Sequence, residues 1–267
     1  MSHARFSVHR VRHARRAATL AVALSVLAAC GDDYDDDAPT APLPASTVFS
    51  ATGDVTAKLT EFRAALGEPN NAGAAGQQQG GRRELNWDGV PALRTNTDDF
   101  PADFFNVTSP RGIITTSVGS GLRVSDNDFG DINADYDAQF EQFSGQRTFM
   151  SVGSNALDAT FRVAGTTQVA AVKGFGVVFS DVDQAGSARI ELYDATDRLI
   201  AQAQAPVRSD AQGFSFVGVT FQSAIVTRVR VISGKGALGS AVKDVTAGGA
   251  LDLVVMDDFL YSEPVAP

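Results

Sequence analysis

Asp181 and Asp183 stand two residues apart just after an apolar run, and Asp257 interrupts another. Carboxylates at alternate positions of a continuing strand point to one side. Calcium takes roughly six to eight oxygen ligands, and carboxylates at strand ends can supply several of them. Asp181, Asp183 and Asp257 are therefore the candidate metal ligands, with Ca2+ as a structural ion. Simple alternation puts Asp257 on the face of Leu253, Val255 and Phe259, where a carboxylate needs a cation or strong hydrogen bonds. The alternative is that all three cap turns or face solvent.

A second acidic segment runs from Asp126 to Asp137. Asp131, Asn133 and Asp135 match the first three ligand positions of an EF-hand loop. Tyr136 stands where that loop requires glycine, and no Glu closes it, so the segment reads as an acidic surface loop. Trp87, the only Trp, sits between Asn86 and Asp88. An exposed indole can stack on a sugar ring while such neighbours bind hydroxyls, which makes Trp87, Asn86 and Asp88 the candidate ligand-binding set. The alternative is a core tryptophan. Gly119-Ser120-Gly121 and Gly234-Lys235-Gly236 lack the strand–loop–helix context of a phosphate loop and read as turns.

All three histidines (His3, His9, His13) lie in the first thirteen residues, and the only cysteine is Cys30. Arg5, Arg10, Arg12, Arg15 and Arg16 precede an apolar run from Ala17 to Ala29, the order of an export signal. Leu27-Ala28-Ala29-Cys30 is the pattern at which bacterial lipoproteins are cut and lipidated. Residues 1–29 are expected to be a signal peptide and Cys30 the lipidated residue. The residues after Arg15-Arg16 fit a twin-arginine motif poorly, so the general secretory route is expected. By likeness to lipoprotein sorting, Gly31 directs the chain to the outer membrane. A processed chain has no histidine and no free thiol. That excludes Ser-His-Asp and Cys-His nucleophiles, the usual zinc sites and any disulfide within the monomer.

No acidic residue precedes Cys30. Subtracting the five leader arginines from 22 leaves 17 Lys+Arg against 31 Asp+Glu, a net charge of −14. Such a balance argues against nucleic acid and against electrostatic binding to anionic lipid.

The elements that must position these groups are mostly strands. Residues 30–46 form an acidic, Pro-rich tether. Residues 47–267 are expected to be a single domain. Val55, Leu59, Phe62 and Leu66 recur at helical spacing, so residues 54–66 are read as an amphipathic helix. Thr52 or Asp54 would cap it and Gly67 would end it. Asn70–Gly81 reads as a flexible loop. Strands are expected at 113–118, 122–125, 148–152, 160–164, 172–179, 189–193, 198–203, 214–221, 226–232 and 251–261. Several alternate: Ile190 and Leu192 oppose Arg189, Glu191 and Tyr193, and Val229 and Val231 oppose Arg228 and Arg230. Ten strands without interleaved helices predict an all-β fold, an antiparallel β-sandwich or jelly roll with one N-terminal helix.

The segment Arg82–Pro91 (RRELNWDGVP) resembles one found in a group of uncharacterised secreted bacterial proteins, some lipid-anchored and some with C-terminal sorting signals. Ser109–Gly112, Val152–Asn155, Gly174–Asp183 and Val255–Tyr261 extend that resemblance over most of the processed chain. The group implies a surface location but no activity. Without a sorting helix before Pro267, the lipid is expected to be the only anchor. Asp257-Asp258 also resembles the acidic pair in the last strand of carbohydrate-binding jelly rolls, a likeness that implies a structural calcium and a glycan partner. The expected function is non-catalytic binding of a glycan or envelope component. The alternatives are a hydrolase of an extracellular polymer using Asp or Glu, and a purely structural envelope protein. A hydrolase requires a cleft with two facing carboxylates; a binder requires an aromatic platform or rim loops without that pair.

Overall fold

The computed structural model describes residues 42–267 except 211. Cys30, the leader and the acidic part of the tether lie outside the described residues. The expected helix is α1 (Thr56–Leu66), and the twelve strands are β1 (Ser46–Thr52), β2 (Arg82–Leu85), β3 (Ile113–Ser117), β4 (Gly121–Ser125), β5 (Thr148–Val152), β6 (Ala156–Phe161), β7 (Gly174–Ser180), β8 (Arg189–Tyr193), β9 (Leu199–Gln204), β10 (Phe214–Phe221), β11 (Arg228–Ile232) and β12 (Val255–Ser262). One sheet has the order β1-β10-β7-β12-β5-β4, with β2 added against β12; the other has the order β3-β6-β11-β8-β9. Every pairing of these strands is antiparallel. The fold is the expected all-β sandwich.

The sandwich core mixes aromatic and aliphatic side chains from both sheets. Trp87, Phe149, Phe175, Phe259 and Tyr261 meet Leu157, Ile190, Leu192, Val229 and Val231, all buried. The alternating residues of β8 and β11 face as their pattern predicts: Ile190, Leu192, Val229 and Val231 are buried, whereas their neighbours Glu191, Arg228 and Arg230 are partly exposed. Asp194–Asp197 makes the expected turn, with Asp194 N–H donating to the Arg198 carbonyl.

The outer face of the larger sheet is covered too. α1 buries Leu59, Phe62 and Leu66 against Val178, Phe216 and Leu260. Gly176 and Gly218 are paired across β7 and β10. A Cβ on Gly176 or Gly218 would lie 2.7 or 2.6 Å from a ring carbon of Phe62, so these strand glycines leave the seat in which that ring packs. Asp54 accepts from the Thr56 N–H at 3.0 Å at the helix start, and Gly67 ends the helix with φ +115°.

Beside α1, residues 126–143 and 233–254 fold over the same face. Phe129, Tyr136 and Phe140 from the first segment pack on Met150, Leu253 and Val255. The 126–137 segment is therefore not merely a surface loop. Its three EF-hand-like positions diverge: Asp131 pairs with Arg123, Asn133 accepts from the Asp135 N–H, and Asp135 lies 3.3 Å from Lys243.

β12 is irregular in the middle. Its register against β7 shifts between Met256 and Phe259. Val255 packs on the outer cluster while Phe259 packs in the sandwich core, so the two do not share a face. Asp257 and Asp258 occupy this bulge. Simple alternation failed at Asp257 because the bulge adds a residue.

Candidate functional site

Three groups of polar side chains are gathered by this frame: a carboxylate cluster at one end of the sandwich, the acidic pair in the β12 bulge, and a cleft between α1, β2 and the bulge.

The cluster contains Asp181, Asp183 and Asp244, with one carboxylate oxygen from each lying within 4.8 Å of the others. Asp181 and Asp183 follow β7, and Asp244 comes from the long β11–β12 connection. Asp181 adopts a left-handed backbone, φ +70°, and its N–H donates to the Gly213 carbonyl. One Asp181 oxygen accepts from the Gln139 side-chain amide, while the other, Oδ1, is buried and has no donor. Neither oxygen of Asp183 has a donor. Asp244 approaches it, but two carboxyls bond only if one carries a proton. Asp244 is held by the Thr246 hydroxyl at 2.8 Å and the Leu253 N–H at 2.7 Å. Asp252 stands nearby, fully buried, with one oxygen on the Gln184 N–H and Oδ1 unpartnered.

Burial pushes Asp181 up to about 8, against the Gln139 hydrogen bond and helped by the charges of Asp183, Asp244 and Asp252. Burial and the closeness of Asp244 push Asp183 up to about 7. Among the described residues, no Lys or Arg ion-pairs with Asp181, Asp183, Asp244 or Asp252. Elsewhere in the fold carboxylates of comparable burial are paired: Glu263 with Arg83, Glu84 with Arg63 and Arg82, and Asp158 with Arg228 and Arg230.

Asp257, the third expected metal ligand, is not part of this cluster. It lies in the bulge, where its Oδ2 accepts from the N–H groups of Phe143, at 2.6 Å, and Ser144, at 3.2 Å. Burial and the charge of Asp258 push Asp257 up to about 9, against the two backbone donors, and its Oδ1 is buried without a donor. The structure brings Asp244, rather than Asp257, together with Asp181 and Asp183.

Trp87 is also corrected. It is only 1% exposed. Its ring stacks on Phe149 at 3.8 Å and 11°, and its indole N–H donates to the Asp257 carbonyl at 2.8 Å. The expected sugar platform is a core residue. A left-handed backbone at Trp87, φ +64°, turns the ring inward while the side chains on either side stay outside. Asp88 accepts from the Gln146 N–H at 2.8 Å and from the Asn86 amide at 3.0 Å, anchoring the 144–147 turn.

Asn86 does line a cleft of about 270 Å³ together with Arg63, Asn70, Glu84, Arg111, Ser144 and Asp258. Burial works to raise Glu84, but hydrogen bonds and charge from Arg63 and Arg82 outweigh it and hold the carboxyl below its ordinary range. Arg63 binds both Glu84 oxygens, at 3.1 and 3.2 Å through Nε, and Arg82 adds a 2.6 Å contact. Asp258 accepts from the Ser144 hydroxyl and is raised, chiefly by burial. Arg111 lies 5.6 Å from the Phe105 ring centroid and donates to the Glu84 carbonyl at 3.2 Å, with no carboxylate partner among the described residues.

Glu84, Arg111, Asp258, Asp244 and Asp252 were not singled out as site residues from sequence. Asp252 carried a usable signal, an isolated acid inside the apolar run Leu251–Met256.

No family model matches the chain, and no curated protein is similar to it. Among solved structures there are slight resemblances, two of which are as follows. The enzymatically active domain of bacteriophage CBA120 tailspike protein 4 is 10% identical with a TM-score of 0.28, over 66% of this chain and 22% of that one. The chain thus spans about a fifth of the tailspike structure. The carbohydrate-binding module TmCBM61, in complex with β-1,4-galactotriose, is 10% identical with a TM-score of 0.22, over 61% of this chain and 95% of that one.

Proposed function

We propose that this protein is a lipid-anchored envelope protein that binds glycan without catalysis, through the cleft formed by Arg63, Asn70, Asn86, Arg111 and Ser144. The observation that carries the reading is the chemistry of the cleft wall. It offers amides, a hydroxyl and a guanidinium free of any carboxylate, which are the donors and acceptors that sugar hydroxyls require. At about 270 Å³ it is at the small end of ligand pockets.

A specific observation favours hydrolysis as a second reading. Glu84 and Asp258 line one cleft with carboxyls shifted in opposite directions, as a base and an acid would be. Binding is preferred because Glu84 is clamped by two arginines, and Asp258 is occupied by Ser144 and Asp257. Both Glu84 oxygens are taken, which leaves it no free oxygen to move a proton.

The test is a polysaccharide array probed with the full chain in detergent, with reducing ends assayed in parallel. Binding without release of reducing ends is expected. Asn86→Ala should weaken it roughly 3- to 10-fold, the worth of a neutral hydrogen bond, and Arg111→Ala more, as a charged donor. Asn86 is exposed, so its substitution should leave the melting temperature unchanged. Reducing ends that vanish with Glu84→Gln would establish the hydrolase instead. Binding that ignores both substitutions would overturn the cleft assignment.

The anchor rests on Cys30 and its leader. Among the described residues no helix is long and apolar enough to cross a membrane. Cys30→Ala is expected to abolish incorporation of labelled palmitate and to move the protein from the membrane to the soluble fraction. Unchanged labelling and retention would remove the lipid from this reading.

A further inference from the structure

We propose that Asp181, Asp183 and Asp244 bind one calcium ion, with Asp252 in the surrounding shell. The site is independent of the glycan cleft.

The argument begins with unmet bonding. Asp181 is fully buried, and its Oδ1 has no hydrogen-bond donor. Both oxygens of Asp183 and one of Asp252 are likewise shut off from solvent and without a donor. A buried acceptor without a donor costs about 1–3 kcal/mol, more when charged. Three such residues, gathered with Asp244 and without a neutralising Lys or Arg among the described residues, would repel one another. Glu263, Glu84 and Asp158 have met that problem with an arginine, and Asp257 in the bulge has two backbone donors. Here donors are missing from Oδ1 of Asp181 and from both oxygens of Asp183, and one carboxylate oxygen each of Asp181, Asp183 and Asp244 lies within 4.8 Å of the others.

The donor set selects the ion. It is all oxygen and mostly anionic, without His or Cys sulfur, which suits a hard divalent cation. Calcium–oxygen bonds of about 2.3–2.6 Å place oxygens on opposite sides of the ion up to about 5 Å apart. The observed separation falls inside that limit. The polypeptide also accommodates a flexible, high-coordination ion. The ligands come from two connections, 181–188 and 233–254, and the backbone at Asp181 is turned left-handed to face its carboxylate inward. Gln139 and Thr246 border the cluster, the Gln139 amide donating to Asp181 and the Thr246 hydroxyl to Asp244. An ion here would tie the β7–β8 connection to the segment that leads into β12, closing that end of the sandwich.

The test uses the full chain in detergent, stripped with chelator and then freed of it. Calcium and magnesium chloride are titrated by calorimetry, and thermal unfolding is followed in parallel. One calcium per chain is expected. A hundredfold excess over Kd should raise the melting temperature by roughly 5–10 °C. Asp183→Asn should abolish both signals. The cation-free variant should melt no lower than the cation-free wild type, because the amide removes a charge while keeping the shape. Asp183 is partly exposed, so this variant stands even if Asp181→Asn does not fold. Asp257→Asn should keep the calcium response. A stripped wild type that neither binds calcium nor shifts would overturn the proposal. So would a response that survives Asp183→Asn, or one that depends on Asp257 instead.

Discussion

Trp87→Ala is expected to cost about 3–5 kcal/mol, a large part of the roughly 5–15 kcal/mol that holds a domain of ordinary stability together. Three losses add. The first is the area and packing of the largest fully buried side chain, which stacks on Phe149 and meets Phe105, Phe259 and Phe100 edge-on at 5.3, 5.2 and 6.4 Å. The second is the cavity left between the sheets, which a ring of phenylalanines fixed by their own contacts cannot collapse to fill. The third is the Asp257 carbonyl, which loses its indole donor inside the bulge. Trp87→Phe separates these losses: it keeps most of the packing and removes the hydrogen bond, so its cost should fall to about 1–3 kcal/mol. Urea unfolding followed by circular dichroism measures both. In the wild type, the fluorescence of this sole tryptophan should be blue-shifted and should not respond to a bound polysaccharide. A loss below about 1 kcal/mol for Trp87→Ala would mean that the ring is not the keystone described here.

Trp87 also shows where reading residues in order breaks down. Its neighbours Asn86 and Asp88 are polar, so the local pattern suggests exposure. One left-handed backbone position separates the ring from them, and no local pattern marks a non-glycine residue there. The strands were legible where alternation is strong and one face is buried: β5, β8 and β10 have the boundaries expected for them. β6 begins four residues earlier than expected and ends at Phe161, because Arg162–Ala164 already turn away from the ladder. β2 was missed because three of its four residues are charged. Its burial depends on ion pairs with partners far along the chain, which a hydrophobic pattern does not register. β1 was missed for a different reason: it is a largely exposed edge strand directly after the Pro-rich tether. The carboxylate cluster was half legible. Asp181 and Asp183 are neighbours in sequence, whereas Asp244 joins them only through the course of the β11–β12 connection. The resemblance to jelly-roll acidic pairs pointed at Asp257, and the bulge sent that residue elsewhere.

The charges in β2 lead to the second large effect. Arg83 is fully buried and grips Glu263 with two hydrogen bonds, Nε to Oε2 at 2.6 Å and a terminal nitrogen to Oε1 at 2.7 Å. Its Nη1 donates to the carbonyls of Ala72, Ala74 and Pro110 at 2.9, 2.7 and 3.0 Å, and Nη2 also donates to the Gly76 carbonyl at 3.3 Å. Glu263 in turn accepts from the Asn71 amide at 2.8 Å and the Gln78 N–H at 3.1 Å. The loop at 70–81 has little apolar content, so this pair, rather than hydrophobic burial, ties it to the end of β12. Glu263→Gln leaves the guanidinium buried without its counter-charge, and Arg83→Met leaves the carboxylate in the same state. Each is expected to cost about 3–5 kcal/mol. Added salt should not change that cost, since a pair shut off from water is hardly screened. The double substitution distinguishes this arrangement from an ordinary buried pair. Where two charges serve only each other, replacing both with apolar groups is often neutral or stabilising. Here Arg83 also satisfies at least three backbone carbonyls, so Arg83→Met/Glu263→Met should recover part of the loss and remain well below wild type. Amide hydrogen exchange should show the protection of Asn71, Ala74 and Arg82 falling first, while β8 and β11 stay protected. If the double variant matches the wild type, or if the loss spreads evenly over both sheets, the pair does not hold the loop in the way the hydrogen bonds indicate.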